Sequence, residues 1–227
     1  AQQQPWRYAE VTVVDSKGEQ RIVETDHEGV YRFVTNGLMP PLLISAIAEG
    51  ENRNCTSHET LRAPCMASLV LKLKGGEANI VNINPWTDRI VSDVAVSQGF
   101  AGPQQWVNTG VASVEDHDAV ATALQHFREG FADALREAGV ADPMAFDPVS
   151  WPIERHSVVS PVLGLINHNR NYHNDSGEAG HTVLTDSELR PIVGLYGEGA
   201  YEPMNFARAT AAKEAIANAE VRIFIIG

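Results

Sequence analysis

Positive charge is scarce in this chain: 17 lysines and arginines stand against 29 aspartates and glutamates, for a formal net charge of −12. Such a surface repels phosphate backbones and anionic lipid, which argues against nucleic acid as a partner. Long apolar runs are also missing, and none approaches the roughly eighteen residues that a membrane span requires. No basic, apolar, small-residue signal opens the chain, and a start at AQQQPW suits a mature end left by signal removal. Cysteine is reduced to Cys55 and Cys65. With no CxxC and no CxxCH, neither a thioredoxin-type redox site nor covalently attached haem is supported. HExxH, GxSxG and P-loop patterns are absent as well, so no motif nominates a hydrolase or a nucleotide enzyme.

What remains is ordinary globular material: 227 residues, 44% hydrophobic and 20% charged, enough for one large or two modest domains with a buried core. The two cysteines lie ten positions apart in the polar, proline-containing stretch NCTSHETLRAPC. A bridge between them is favoured over two unrelated buried thiols. In the chain-entropy picture a loop of that size contributes roughly 2–3 kcal/mol. A disulfide points to an oxidising compartment, hence to a secreted or extracellular protein.

The first third reads as short strands separated by turns. Val11 and Val13 alternate with Thr12 and Val14, DSKG and DHEG supply turns, and VYRFV sets Tyr31 and Phe33 on one face. LLISAIA follows. Leu69, Leu71 and Leu73 then predict a strand that returns through a Gly75-Gly76 turn to Ile80 as a hairpin. The pattern is that of an antiparallel sandwich.

AEVTVVDSKG followed by TDHEGVYRF resembles the prealbumin-like or Ig-like repeat of bacterial surface proteins, the carboxypeptidase regulatory-like and Cna-B-type modules. VNINPWTDRIV is similar to a segment that follows such modules in secreted proteobacterial proteins. The resemblance implies an Ig-like β-sandwich in a secreted or surface-attached structural protein. This chain departs from the family at its start. Only AQQQPWRY precedes Ala9, so the family's opening strand is missing, and no lysine before Lys17 could form its isopeptide bond.

Beyond residue 84 the periodicity changes to helical. PWTDRIVSDVAV predicts a short helix begun by Pro85, with Asp88 near the positive end of its dipole. A longer helix is predicted over 114–138, where Val120, Leu124, Phe127, Phe131, Leu135 and Ala138 form one stripe, with Ser113 and Asp116 at its start and Gly139 at its end. ADPMAFDPVSWP reads as a linker, SPVLGLI as a short helix, NHNRNYHNDSGEAGH as a polar loop, TVLT as a brief strand and MNFARATAAKEAIANA as an alanine-rich helix. The expected class is α+β, with an Ig-like module over 1–84, a mainly helical domain over 85–220 and a strand over 221–227.

Chemical candidates are few. His168, His173 and His181 fall close together with Asp175 nearby, but their spacing matches no zinc signature, and a solvated loop is the better reading. No metal and no cofactor is therefore assigned, and no catalytic set. Asp142 and Asp147, each before a proline, mark turns.

The stretch AEVRIFIIG is the remaining oddity. Val221, Ile223 and Ile225 would point to one side of an extended segment and Phe224 and Ile226 to the other, with Arg222 the only charge. Both sides need cover. Ordering these residues costs roughly 7–14 kcal/mol. Full burial of their apolar side chains returns about 8–15 kcal/mol, so the strand holds only where both faces are covered and its ladder is paired. The expected function is an extracellular filament subunit whose C-terminal strand enters the incomplete β-module of the next copy, built on Val11, Val13, Tyr31 and Phe33. The expected partner is thus a further copy of the chain. The alternatives are a monomeric ligand- or carbohydrate-binding module that completes its own sheet and, last, a metal-dependent hydrolase.

Overall fold

The computed structural model describes residues 5–51, 55, 64–153, 157–172, 179–186, 192, 204, 206 and 210. These form an α+β protein with a four-stranded antiparallel sheet, a separate two-stranded sheet and a few helices. The larger sheet contains β1 (Glu10–Val14), β2 (Gln20–Glu24), β3 (Leu42–Ile47) and β4 (Cys65–Val70), in the order β2-β1-β3-β4. Asp15 makes the β1–β2 turn. Its carboxylate accepts backbone N–H bonds from Lys17 and Glu19, both at 2.8 Å, and from Met39 at 2.9 Å, while Gly18 takes the left-handed conformation at φ +83°. Asp26 repeats the device in DHEG, accepting from Glu28 and Val30.

Burial acts to raise the Asp15 carboxyl, but those three backbone donors, helped by the Lys17 ammonium, outweigh it and hold the carboxyl below its usual value. A depressed carboxylate stabilises the fold above its unfolded-state pKa and loses that contribution as pH falls through the folded one. Asp15→Asn is expected to cost about 2–4 kcal/mol at neutral pH, because the bonds from Lys17 and Glu19 N–H lose their charge and the amide NH2 in place of Oδ2 cannot accept from Met39 N–H. The gap should begin to narrow below about pH 4, where the unfolded carboxylate protonates, and close as pH falls through the lower folded value. Urea unfolding of both proteins at pH 7 and pH 3 checks it; an equal gap at both would remove the charge from the explanation.

The pleat gives the sheet two faces with different cover. Val11, Val13, Leu42, Ile44, Ala46 and Val70 form one core, with Tyr31, Phe33, Leu73, Val81 and Ile83 packed over it. Leu43, Ala67 and Leu69 point the other way and join the larger core with the helices. VYRFV is therefore a covering segment, not a ladder strand. The Tyr31 and Phe33 rings stack at 6.1 Å, and the Tyr31 hydroxyl donates to the Val81 carbonyl at 2.8 Å. The predicted hairpin through Gly75-Gly76 does not form. β4 ends at Val70, so Leu69 and Leu73 serve different cores and Leu71 faces solvent. Asn79 closes the loop locally, accepting from Lys74 N–H and donating to the Lys74 and Glu77 carbonyls.

Helix α1 (Pro85–Ser97) lies against β4, and α2 (Pro103–Val107), α3 (His117–Glu137) and α4 (Ser160–Leu163) follow. Asp116 caps α3 by accepting from Asp118 and Ala119 N–H, and Gly139 ends it at φ +100°. Phe127, Phe131 and Leu135 of its stripe are fully buried, with Val120, Leu124 and Ala138 at the margin. Trp86 of α1 stands among Phe127, Phe131 and Phe146, with ring centroids 5.6–5.7 Å away. The core thus runs continuously from the sheet across residue 84 into the helices.

The predicted polar loop contains strands instead. β5 (Asn167–Tyr172) and β6 (Ala179–Thr185) pair antiparallel with an irregularity between Arg170 and Tyr172. Local composition argues for a loop here, but Leu184, Thr182 and His168 are buried against the helices, and packing overrides propensity. No helix among the described residues is long and apolar enough to cross a membrane.

Candidate functional site

Edges are where a sheet can take a further strand, and the two edges of this one differ. In the β1–β2 ladder Asp15 N–H reaches Glu19 O and Thr25 N–H reaches Ala9 O. Antiparallel alternation and the register then direct the N–H and C=O groups of Gln20, Ile22 and Glu24 away from β1. Carried across the sheet, the same alternation turns those of Cys65, Ala67 and Leu69 outward from β4.

The β4 edge is closed by the first turn of α1. Asn84 caps that helix, accepting from Trp86 and Thr87 N–H, and Thr87 Oγ1 accepts from Asn84 N–H in return, a reciprocal capping box. So held, Thr87 Oγ1 donates to the Ala67 carbonyl at 2.9 Å, and Asp88 Oδ1 accepts from Ala67 N–H at 2.7 Å. Two side chains imitate a neighbouring strand at the middle of β4.

Asp88 also anchors the small sheet. Its Oδ2 faces His168 Nε2 at 2.8 Å and the Thr182 hydroxyl at 2.5 Å, and Thr182 N–H donates to Ser92 Oγ at 2.9 Å. One turn along, Arg89 Nε meets Asp93 Oδ1 at 3.1 Å, both side chains being buried. Burial raises the Asp93 carboxyl above its usual value, against the opposing pull of Arg89 and His126. The Asp88–His168 geometry is that of an acid–base dyad, but the side chains are 0% and 7% exposed. The pair is thus sealed from solvent, and its bonds tie β4, α1, β5 and β6 together. The helix-dipole position expected for Asp88 does not account for these bonds. The available signal was NPWTD, a capping residue with threonine and aspartate in the first turn of a helix that follows a strand.

At the opposite edge, β2 ends the strand order, and no described residue pairs with its outer side. Its burial alternates, and Ile22 is 52% exposed. Arg21 on the opposite face donates to the carbonyls of Val34 and Asn36, which holds Val34, 71% exposed, beside the strand.

The other predicted residues fall as follows. Val11 and Val13 lie on β1, fully buried, with a neighbouring strand on each side, and Tyr31 and Phe33 cover them. Cys55 and Cys65 form the disulfide, Cα atoms 5.5 Å apart, and pack with Ile47; Cys65 begins β4 rather than lying in a loop. Asp142 and Asp147 cap turns. His168 is inside the Asp88 network, not on a solvated loop; His181 is half-buried on β6, while His173 and Asp175 lie outside the described residues. Among the described residues no three His, Cys, Asp or Glu side chains are grouped to hold a metal ion. Val221, Ile223, Phe224, Ile225 and Ile226 lie outside the described residues. Comparison with protein-family models, curated proteins and solved structures finds no match for this chain.

Proposed function

We propose that this chain is an extracellular structural protein, the subunit of a homopolymer in which the strand-like segment 221–227 of one copy joins the β-module of the next. The reading includes an Ig-like or prealbumin-like character for the N-terminal module. The observation that carries it is a four-stranded sheet whose order ends at β2 with no further strand among the described residues, in a chain that also holds a stretch, 221–227, apolar at both alternating sets of positions. An unpaired edge and a strand needing cover on two sides are complementary chemistry. The disulfide adds support, because such bonds persist in oxidising compartments. Donor and acceptor are different surfaces, so the contact is heterologous and extends into a filament unless its rotation closes a ring.

Negative-stain microscopy with light-scattering mass, on the full chain and on a version lacking 221–227, tests the reading. Polymers from the full chain that disappear on truncation are the expected result. Monomers from both would overturn it and favour a segment that completes its own sheet.

A further inference from the structure

Resting on that reading, we infer that the acceptor is the outer edge of β2, centred on Ile22, and that its occupant is segment 221–227 of a second copy. Two other places in the module could be imagined, and the structure closes both. The middle of β4 already has its outward N–H and C=O taken by Asp88 and Thr87. Displacing them would uncover a buried carboxylate that also holds His168 and Thr182. The surface over Val11 and Val13 is filled by Tyr31 and Phe33, and β1 has no free edge between β2 and β3.

β2 has what a donated strand needs. The outward groups of Gln20, Ile22 and Glu24 are spaced as a ladder. Apolar contact is offered on both faces of that ladder. Ile22 stands exposed on one, and Val23, half-buried, lies on the other. A donor with Val221, Ile223 and Ile225 on one side and Phe224 and Ile226 on the other meets apolar side chains whichever face it turns to each. A half-polar strand would not. The donor carries a single charge, Arg222; β2 carries the exposed carboxylate of Glu24, and its own cation, Arg21, is already engaged by the Val34 and Asn36 carbonyls.

The test compares the full chain, the truncation at 221, and Ile22→Pro. Proline at 22 removes an outward N–H while leaving the bonds to β1 intact, and edge strands tolerate it. The expected result is assembly by the full chain alone, with Ile22→Pro monomeric and still folded by circular dichroism. Ile22→Lys should likewise block assembly by placing charge on the edge. Polymers from Ile22→Pro and Ile22→Lys that still vanish on truncation would overturn the β2 assignment and leave strand donation standing. Absence of polymers from the full chain would overturn both. Hydrogen exchange decides the matter without a variant at the edge: the Ile22 amide should exchange about 100-fold more slowly in the polymer than in the truncated monomer. Unchanged exchange there would overturn the assignment even if both Ile22 variants failed to fold.

Discussion

Asp88→Ala is expected to destabilise the protein by about 3–5 kcal/mol, the cost of breaking a buried charged network from its centre. The carboxylate accepts from Ala67 N–H on one oxygen and faces His168 and Thr182 on the other. Its loss leaves those groups buried without their acceptor, and each such group costs about 1–3 kcal/mol. The damage crosses the fold: the middle of β4 loses its closure and the β5–β6 hairpin loses its tie to α1. For a chain of this size that corresponds to a fall in Tm of about 6–20 °C. Asp88→Asn, which keeps one acceptor oxygen and the shape, should cost about half as much. Thermal unfolding of the three proteins under non-reducing conditions measures it. A loss below about 1 kcal/mol in Asp88→Ala would mean that water or a neighbour replaces the carboxylate. Hydrogen exchange gives a local readout, since the Ala67 amide should lose protection before its neighbours on β3.

Gly102→Ala is the second large effect, with a different cause. Gly102 precedes α2 in an extended conformation open to any residue, so backbone strain is not at issue. The difficulty is space. A Cβ built on Gly102 would collide with the Gly180 carbonyl oxygen and stand 2.6 Å from its carbon. Both are backbone atoms of β6, which cannot rotate away, so α2 and the hairpin must separate. Overpacking of this kind costs about 1–3 kcal/mol where neighbours can adjust; against fixed backbone we expect at least the upper end. Gly99→Ala is the matched control. Gly99 has φ +84° and open space around the missing Cβ, so it carries only the left-handed penalty of about 1–2 kcal/mol. Denaturant midpoints for the two variants should therefore rank Gly102→Ala below Gly99→Ala. The reverse order would show that the α2–β6 contact yields more readily than its geometry implies.

Local chemistry was readable from the residues wherever a bond closes within a few positions. DSKG and DHEG place an aspartate three residues before a glycine, and both fold as the turns they predict. Pro85 begins α1 and Gly139 follows the end of α3 as expected, but α3 starts at His117 with Asp116 as its cap, three residues past the expected Ser113, because the Asp116 carboxylate takes the first free N–H groups. The disulfide was legible as two cysteines at loop-closing spacing. Failures came where the partner is distant in sequence. Leu69, Leu71 and Leu73 alternate like a strand, yet β4 stops between the first two because one core lies on α1 and the other beneath Tyr31 and Phe33. NHNRNY has the composition of a loop and became β5, because Asp88, eighty positions earlier, supplies a buried acceptor for His168.

By itself, then, the sequence determined the α+β class, the two aspartate turns, the start of α1, the end of α3 and the disulfide, since each rests on dihedral preference, a short-range bond or a period of two or 3.6 residues. Only the tertiary structure decided which sheet edge is shut and which has no partner among the described residues. Whether the N–H and C=O of Ala67 or Ile22 face a partner depends on register and on the helix that follows. Asp88 and Thr87 close β4 because α1 packs there, and no pattern along the chain encodes that approach.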